Sequence, residues 1–292
     1  MAIKTCLLKA AVLGKAPFTW AREKNFHFEY SGNRCLADPL VHHGQHFGRT
    51  IHALCNIWAL LANGIARTGE FHQPDEYYSS EENQEYLIYR SLLRMIPGLE
   101  DCLLQGDKDN IVSMAEMIQR GSSSARSDDT KSLKGAVLDW ITPCRESHTP
   151  PLARNVKTDC GFHHDQTGAL LCPAGLDWSD PEVRLKLKNG ELLISGDQWP
   201  VFLYQDYVYN PEDPWNGLSR SLLLVLAYRH IFTSPSSVNR EPKATQSGNT
   251  RIHGMTKVTP ASIAYVATQI LPNYSSAWRP PSKNSALAKI KE

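Results

Sequence analysis

Three potential metal ligands, His163, His164 and Asp165, follow one another near the middle of the sequence. A His-x-Asp pair with a third histidine much later is typical of non-haem iron oxygenases, which hold Fe(II) with two imidazoles and one carboxylate. His163 and Asp165 would form the pair, and His230 would be the third ligand. Three protein ligands leave positions open for oxygen and substrate. The pattern therefore predicts an Fe(II)-dependent oxygenase-like enzyme, with Arg240 binding an oxoacid cosubstrate.

Two observations favour a different interpretation of these residues. His230 lies in a segment of helical periodicity, whereas that class of oxygenase places its ligands on the strands of a β-barrel. With 11 histidines in the chain, a His-x-Asp pair also arises easily by chance. The alternative is that one of the neighbouring histidines caps or packs a turn.

A zinc site is a second interpretation of the same stretch, with Cys160, His163 or His164, and Cys172 as ligands. Cys160-x-x-His163 has the spacing of a ligand pair, but no second pair of matching spacing follows. Cys172 ends the apolar run GALLC, where a thiol behaves as a small buried hydrophobe. Fe(II) and zinc are the two metal cofactors that the sequence suggests.

Arg126 is a candidate for binding an anion. It lies in the polar segment SSSARSDDTK, which predicts a turn before a helix N-terminus. Backbone N–H groups at such a terminus bind anions. The alternative, which the composition favours, is that Ser127 or Asp128 simply caps this helix.

His164 and Trp199 are further candidates for ligand binding, because the stretch 158–209 joins the histidine pair to a Trp- and Pro-rich segment and predicts a pocket. Within it, the aromatic run 199–209 resembles a platform on which bases of a nucleic acid stack. Lys and Arg do not interleave with these aromatics, and Asp197 and Asp206 flank them. An aromatic core strand is therefore the favoured interpretation.

Other catalytic motifs are missing from the sequence. It contains no G-x-S-x-G elbow, no H-E-x-x-H helix and no Gly-rich phosphate loop. The leading prediction is therefore a non-enzymatic binding or interaction module, with a protein or nucleic acid as its partner. A nucleic acid would bind through the loop 240–257 and the basic C-terminal tail.

Composition bounds the class and the location of the protein. Hydrophobic residues make up 41% and charged residues 21%, which is ordinary for a globular protein. The net charge of +1 provides no global field to attract nucleic acid or an acidic membrane. No run of 18 apolar residues occurs, so no membrane partner is expected. The 7 cysteines form no C-x-x-C pair, which predicts reduced thiols in the cytoplasm or nucleus.

Hydrophobic periodicity predicts a mainly α fold, a helical bundle with a small β-containing central segment. Helices are predicted over 46–66, 80–96, 109–119 and from 133 in the front half, and over 181–188, 214–232 and 260–270 beyond it. Strands are predicted over 168–172, 191–194 and 200–209. A crowd of histidines near the first helix is predicted to be a solvated face: His42, His43, His46 and His52.

Several strings of the chain resemble an uncharacterised domain family that is expanded in basidiomycete fungi and has no established activity. They are HFGRTIHALCNI at 46–57, SSARSDDTKSLKGAVLDWITP at 123–143, GFHHDQTGALLCPAGLDW at 161–178, DQWPVFLY at 197–204, IFTSPSSV at 231–238 and HGMTKVTPASIAYVATQ at 253–269. The resemblance implies no cofactor or catalytic residue, and is compatible with a mobile-element origin. After residue 270 the chain departs from the family pattern, so the C-terminal part is expected to be truncated or divergent.

These observations together predict one globular domain over 43–270, after an irregular segment over 1–42 and before a disordered tail over 271–292. Within the domain, a helical front half over 43–142 and a linker over 143–160 precede a mixed segment over 161–212. A helical end over 213–270 completes it.

Overall fold

The computed structural model describes residues 39–69, 75–142, 152, 160–192, 194, 198–238 and 248–274. Over these residues the fold is mainly α, as predicted. The helices are α1 (Pro39–Thr50), α2 (Ile57–Gly69), α3 (Ser80–Met95), α4 (Leu99–Gln105), α5 (Lys108–Ile141), α6 (Asp165–Leu171), α7 (Pro181–Asn189), α8 (Leu222–Phe232), α9 (Asn249–Ile252) and α10 (Pro260–Tyr274). Short 3-10 turns lie at Asp75–Tyr77, Gly161–His163, Val201–Leu203, Gln205–Tyr207 and Pro235–Ser237.

The predicted central strands do not form among the described residues. The run 168–172 is mostly the end of helix α6, and 200–209 contains two 3-10 turns. Asp206 and Tyr207 have left-handed φ angles of 53° and 59°, which no extended strand accommodates. Residues 191, 192 and 194 are not in a strand either, and only single-residue bridges are formed in the described part of the chain, Pro173–Pro200 and Tyr204–Leu218.

The chain divides into two compact units, an N-terminal unit of residues 15–128 and a C-terminal unit of residues 1–14 and 129–292. The single domain predicted over 43–270 stays a prediction. Apolar side chains of α1 to α5 form the core of the N-terminal unit. Its most buried members include Phe47, Ile57, Leu60, Leu61, Leu92 and Ile118, each with 0% exposure.

The helix predicted over 46–66 is wrong, because α1 ends at Thr50 and α2 begins at Ile57. The Asn56 side chain accepts a hydrogen bond from Ala59 N at 3.2 Å and so caps the start of α2. The Ile57 N–H, one of the donors that a helix start leaves without an intrahelical partner, donates to Gln119 Oε1 at 3.1 Å. A contact with α5, distant in sequence, thus stabilises the break.

Helix α5 is a single helix of 34 residues where the polar segment SSSARSDDTK predicted a turn. Its small residues lie where α5 crosses α1. A Cβ atom on Gly121 would lie 2.0 Å from the Val41 carbonyl oxygen, and one on Gly44 would lie 2.2 Å from the Ile118 carbonyl oxygen. The Ser124 hydroxyl donates to Gly121 O at 3.0 Å. The small and polar residues therefore allow close helix packing rather than a turn.

Two helices begin where their sequence signals predict. Ser79 and Glu82 form a reciprocal capping box at the start of α3. Asp180 caps α7 and Pro181 occupies its first turn. Helix α7 ends at Gly190, which adopts a left-handed φ of 70°.

An Asp-Pro pair at 213–214 predicts the start of the helix over 214–232, but α8 begins after Ser221, whose hydroxyl accepts from Leu224 N at 3.1 Å. The preceding residues form turns instead, with left-handed φ angles at Gly217 and Ser219. The serine cap competes with the Asp-Pro signal and stabilises the later start.

The C-terminal unit is held together by polar contacts between α5, α8 and α10. The Tyr265 hydroxyl donates to Asp129 Oδ2 at 2.5 Å, the Thr130 hydroxyl donates to Gln269 Oε1 at 2.6 Å, and His230 Nε2 lies 3.1 Å from Ser132 Oγ. The stacked rings of Tyr228 and Phe232 add an apolar contact, with centroids 4.5 Å apart.

Several sequence predictions fall on residues outside the described part of the chain. They are residues 1–38, most of the linker 143–160, residues 240–247 of the proposed nucleic-acid loop, which include Arg240, and residues 275–292. Residues 39–42 are helical, in contrast to the predicted irregular segment. Helix α10 continues through Pro272 to Tyr274, because the burial of Val266 and Ile270 offsets the backbone hydrogen bond that proline removes. None of the helices that the structure describes is long and apolar enough to cross a membrane.

Candidate functional site

A cleft of about 500 Å³ opens in the C-terminal unit. Its described lining consists of three aromatic residues (Trp140, Trp178 and Tyr207), five aliphatic residues (Ile141, Ala169, Leu170, Leu176 and Val201), Gln166 and Cys172. Trp140 and Trp178 are half-buried and Tyr207 is 39% exposed, so their rings are accessible from solvent. The cleft is thus walled in part by accessible aromatic rings.

The wall that carries Trp140 and Ile141 is the C-terminal end of α5. The Gln166 side-chain amide donates a hydrogen bond to the Ile141 carbonyl oxygen. A carbonyl at the end of a helix has no partner within the helix, so this bond satisfies it. It also ties the end of α5 to α6 and positions Trp140 beside the cleft.

A second ring of the lining, Trp178, packs directly on the backbone of α6. A Cβ atom on Gly168 would lie 2.2 Å from Trp178 Cζ2 and 2.3 Å from Cη2, so only glycine permits this contact. The Phe162 ring supports the indole, with centroids 6.0 Å apart and ring planes at 32°. Gly168 therefore determines the position of the Trp178 ring.

Tyr207 is held at the rim of the cleft by an unusual backbone. It and Asp206 are consecutive non-glycine residues with left-handed φ angles of 59° and 53°. Gln205 N donates to Gly217 O at 2.8 Å, and Tyr207 N donates to Tyr204 O at 3.1 Å, and these bonds hold the turn. Such conformations cost about 1–3 kcal/mol each and cluster at ligand sites. The strain is thus a reason to consider the cleft functional.

The titratable groups in the cleft are neutral at physiological pH. Burial, with a smaller contribution from Asp177, raises the pKa of the Cys172 thiol to about 11. Burial, followed by the charge of Asp206, raises the pKa of Tyr207. A protonated thiol is neither a nucleophile nor a metal ligand. The described lining is therefore suited to an apolar or aromatic group.

The three predicted Fe(II) ligands are not brought together. His163 is exposed, and Asp165 forms an ion pair with Arg184 at 3.4 Å. His230 is buried and forms a T-shaped contact with Trp140, with ring centroids 5.6 Å apart, and it hydrogen-bonds to Ser132. The described residues contain no group of three or more His, Cys, Asp or Glu side chains able to hold a metal ion. The oxygenase-like site has no support from this geometry.

The candidate zinc ligands likewise form no metal-binding group among the described residues. Cys160 and Cys172 are both buried free thiols. The Cys172 sulfur lies 3.7 Å from Pro173 O and 3.6 Å from Leu176 O, contacts in which it is a weak donor. His164 is 3% exposed, and its Nδ1 accepts from Gln166 N at 3.2 Å, which caps α6. His164 is therefore the histidine that caps a turn, as the alternative interpretation predicts.

The other two predicted binding residues have structural contacts. Trp199 is 8% exposed and packs edge-on against Trp215, with centroids 5.7 Å apart. Arg126 lies inside α5 and donates to Ser123 Oγ at 3.1 Å. No helix begins at this point, so neither the anion site nor the alternative cap by Ser127 or Asp128 forms there.

A smaller cavity of about 260 Å³ lies in the N-terminal unit beside Arg67. The Arg67 guanidinium lies between two aromatic rings, 3.8 Å from the centroid of Tyr78 and 4.3 Å from that of Tyr86. It also donates to Asn83 Oδ1 at 2.8 Å. Its contacts within the protein stabilise the α2–α3 pair.

The histidine crowd of α1 is not uniformly solvated. His42, His43 and His52 are half-buried, but His46 is only 8% exposed. Burial, with smaller contributions from the charges of His43, His42 and Arg49, lowers the pKa of His46 to about 4. The prediction of a solvated face is therefore wrong for His46, because α1 packs this side of the helix into the N-terminal unit.

The shifted pKa of His46 predicts acid sensitivity. The unfolded chain binds a proton near pH 6.5 and the folded chain only near pH 4, so the unfolded state gains protons first as the pH falls. We expect His46 to lower the free energy of unfolding by about 2 kcal/mol between pH 7.5 and pH 5. Urea denaturation of the wild type and His46→Gln at both pH values measures this. Equal pH dependence in the two proteins would contradict it.

Sequence reasoning missed the cleft residues as a set. The sequence predicts a helix from residue 133 that includes Trp140, and it indicates no binding role for Trp178, Gln166 or Ala169. The one available signal was Gly168, a glycine inside a segment that folds as a helix, which indicates a close approach by another group.

The fold and the cleft define a mainly α protein with an aromatic-walled site and, among its described residues, no metal-ligand group. Residues 120–282 match a family of unknown function, DUF6698, and this is more than half of the 292 residues. The chain belongs to this family, which confirms the resemblance to an uncharacterised domain family. All the described cleft residues lie inside the matched region, whereas the string at 46–57 lies outside it. No curated protein and no solved structure matches the chain significantly.

Proposed function

We propose that this protein is a non-enzymatic binding module that holds its ligand in the aromatic cleft of the C-terminal unit. The observation that carries the proposal is the cleft itself, with a volume of about 500 Å³ and three large rings on its wall. Ligand sites in proteins are concave, mostly apolar and about 300–1,000 Å³ in volume. The strained Tyr207 backbone at the rim adds to the argument.

The chemistry of the described lining favours binding over catalysis. General acid–base catalysis needs a group whose pKa lies near the working pH, usually a histidine or a carboxylate. None of the described lining residues is of either type, and the Cys172 thiol is held protonated. Gln166 uses its amide to hold Ile141. These residues provide shape and apolar surface.

We place the protein inside the cell, in the cytoplasm or nucleus. The described cysteines, Cys55, Cys102, Cys160 and Cys172, are all free thiols. Burial raises the pKa of Cys55 to about 12, as it raises that of Cys172, so these two thiols resist oxidation. Reduced, unreactive cysteines support an intracellular location.

Filling the cleft tests the proposed function. Ala169 lies on α6 and lines the cleft, so Ala169→Phe places a ring in the space without breaking the helix. We expect this variant to weaken binding of the uncharged fluorescent dye N-phenyl-1-naphthylamine at least about tenfold, a loss of about 1.4 kcal/mol. Dye fluorescence titration measures the affinity.

The matched control is Leu185→Ala on α7, which removes a 56% exposed apolar side chain outside the cleft. It should bind the dye like the wild type. Far-UV circular dichroism and thermal unfolding verify that both variants are folded. A folded Ala169→Phe protein that binds the dye with wild-type affinity would refute the proposal.

A further inference from the structure

We propose that the C-terminal unit binds the surface of an anionic lipid bilayer through helix α8 and two segments at its C-terminal end. None of the residues that carry this inference lines the aromatic cleft, so it goes beyond the proposed ligand binding and does not depend on it. The sequence criterion that predicts no membrane partner concerns segments that span a bilayer, whereas binding at a bilayer surface needs no such segment.

One face of helix α8 is exposed to solvent and carries aliphatic side chains. Leu222 is 66% exposed and Val225 is 39% exposed. Arg229, which is exposed as well, follows one turn later. The spacing i, i+3 and i+7 places these three side chains on the same face of the helix. Most of the buried residues of α8 lie on its other side and pack into the C-terminal unit.

Hydrogen bonds hold helix α9 and the start of α10 near the C-terminal end of α8. The Asn249 side-chain amide donates to Ile231 O at 2.6 Å. The hydroxyl groups of Tyr228 and Ser262 lie 3.1 Å apart and share a hydrogen bond. Since Asn249 begins α9 and Ser262 lies in the first turn of α10, the turn that joins these two helices lies at the same end of α8.

The segments held there expose the same two kinds of side chain. Arg251 on α9 and Lys257 in the turn before α10 are exposed cations. The aliphatic residue that follows each of them is exposed too, by 50% for Ile252 and 56% for Val258. We call these four residues, together with the exposed face of α8, the basic–aliphatic surface.

The part of the chain that forms this surface is basic. Beyond residue 213, the described residues include four Lys or Arg and no Asp or Glu. Arg229 and Arg251 form no ion pair with the residues that the structure describes. Over residues 214–292 the sequence has 10 Lys or Arg and 2 Asp or Glu, a net charge of +8, whereas residues 1–213 have 21 and 28, a net charge of −7. This separation of charge within a near-neutral chain indicates an anionic partner for the basic part.

The aliphatic side chains distinguish between the anionic partners that such a surface could bind. A nucleic-acid backbone is bound through cations and hydrogen-bond donors and does not require exposed aliphatic groups. At a bilayer surface, aliphatic side chains enter the boundary of headgroups and acyl chains while Lys and Arg attract the anionic headgroups. None of the surface residues lines either cavity described above, as expected for a planar partner, and a second copy of the same surface would bring like charges together. An anionic bilayer therefore fits both kinds of side chain.

Vesicle co-sedimentation of the full-length protein tests the inference. Vesicles of pure phosphatidylcholine are compared with vesicles of equimolar phosphatidylcholine and phosphatidylserine. We expect the protein to partition onto the anionic vesicles at least about tenfold more strongly, and to lose this preference at high salt, which screens the headgroup charge. Equal partitioning onto the two kinds of vesicle, or no binding to either, would overturn the inference.

The cations are tested by the double variant Arg229→Gln, Arg251→Gln. Its preference for anionic vesicles should fall at least about tenfold, because two of the three cations of the basic–aliphatic surface are lost. The control Arg94→Gln, Arg120→Gln removes the same charge from exposed helical positions of the N-terminal unit and should retain the preference. An equal loss in both double variants would mean that net charge alone drives the binding, and the surface would have no role.

The double variant Leu222→Gln, Val225→Gln tests the aliphatic side chains. Its partitioning onto anionic vesicles should fall at least about tenfold, because less apolar surface leaves water on binding. The control Leu87→Gln, Leu104→Gln changes two exposed leucines of α3 and α4 and should bind like the wild type. Far-UV circular dichroism verifies that all variants are folded. Undiminished vesicle binding by the first variant would refute a bilayer as the partner, and a single-stranded oligonucleotide that then displaces the protein from the vesicles would assign the surface to nucleic acid instead.

Discussion

Replacing Gly121 with alanine is expected to lower the free energy of unfolding by about 3 kcal/mol or more, as overpacking against an immovable neighbour does. The new Cβ atom would lie 2.0 Å from Val41 O and 3.0 Å from Gln45 N, which are backbone atoms of α1. A backbone cannot rotate away as a side chain can, so α1 and α5 must separate. Gly44, on the facing helix, would meet Ile118 O at 2.2 Å and predicts the same outcome.

Urea denaturation followed by circular dichroism measures this effect. Gly69→Ala is the matched control. Gly69 is also helical, as the last residue of α2, and a Cβ atom there would meet nothing within 4 Å. Alanine has the higher helix propensity, by about 1 kcal/mol in a helix interior, so the control should be neutral or stabilising. Equal stability of the two variants would show that α1 and α5 do not approach as closely as the structure describes.

Replacing Gly168 with alanine is expected to weaken dye binding in the proposed ligand site. The added methyl group would lie 2.2 Å from Trp178 Cζ2, so the indole must leave its place on α6. The displaced ring alters one wall of the cleft, and dye affinity should fall more than about tenfold. The same overpacking should lower the free energy of unfolding by about 1–3 kcal/mol.

A double-mutant cycle with Trp178→Leu separates the clash from a general loss of stability. The smaller leucine leaves room for the methyl group, so Gly168→Ala should destabilise the Trp178→Leu protein much less than the wild type. Dye titration of the wild type, the two single variants and the double variant gives the coupling free energy for binding. Urea denaturation of the same four proteins gives the coupling free energy for stability. Additive effects of the two substitutions would mean that Gly168 does not position Trp178.

These two glycines illustrate which parts of the structure could be predicted from sequence. Helix starts depend on side chains within three or four residues of the terminus, as at Ser79 and Asp180, and their signals are local. The mainly α class likewise follows from apolar periodicity. At Gly121 the local signal is misleading. A glycine followed by three serines predicts a turn, and only its contact with α1 shows why the helix continues.

The predicted strands failed for a similar reason. The runs 168–172 and 200–209 are apolar and aromatic, and short apolar runs are ambiguous between a strand and a buried helix segment. His164, one residue before α6, provides a cap that makes the first run helical. The second is folded into turns by the Gln205–Gly217 hydrogen bond, which joins residues distant enough that no local pattern encodes it.

The sequence by itself determined the helical class, the helix starts after Ser79 and Asp180, and membership in a family of unknown function. It also drew attention to the His-His-Asp triplet, whose three residues have separate roles in the tertiary structure. His163 is exposed, His164 caps a helix and Asp165 forms an ion pair. Only the tertiary structure brought together Trp140, Trp178 and Tyr207, which come from three separate segments. Caps and periodicity act over one helical turn, whereas a cleft depends on packing between elements, and packing is decided by the whole fold.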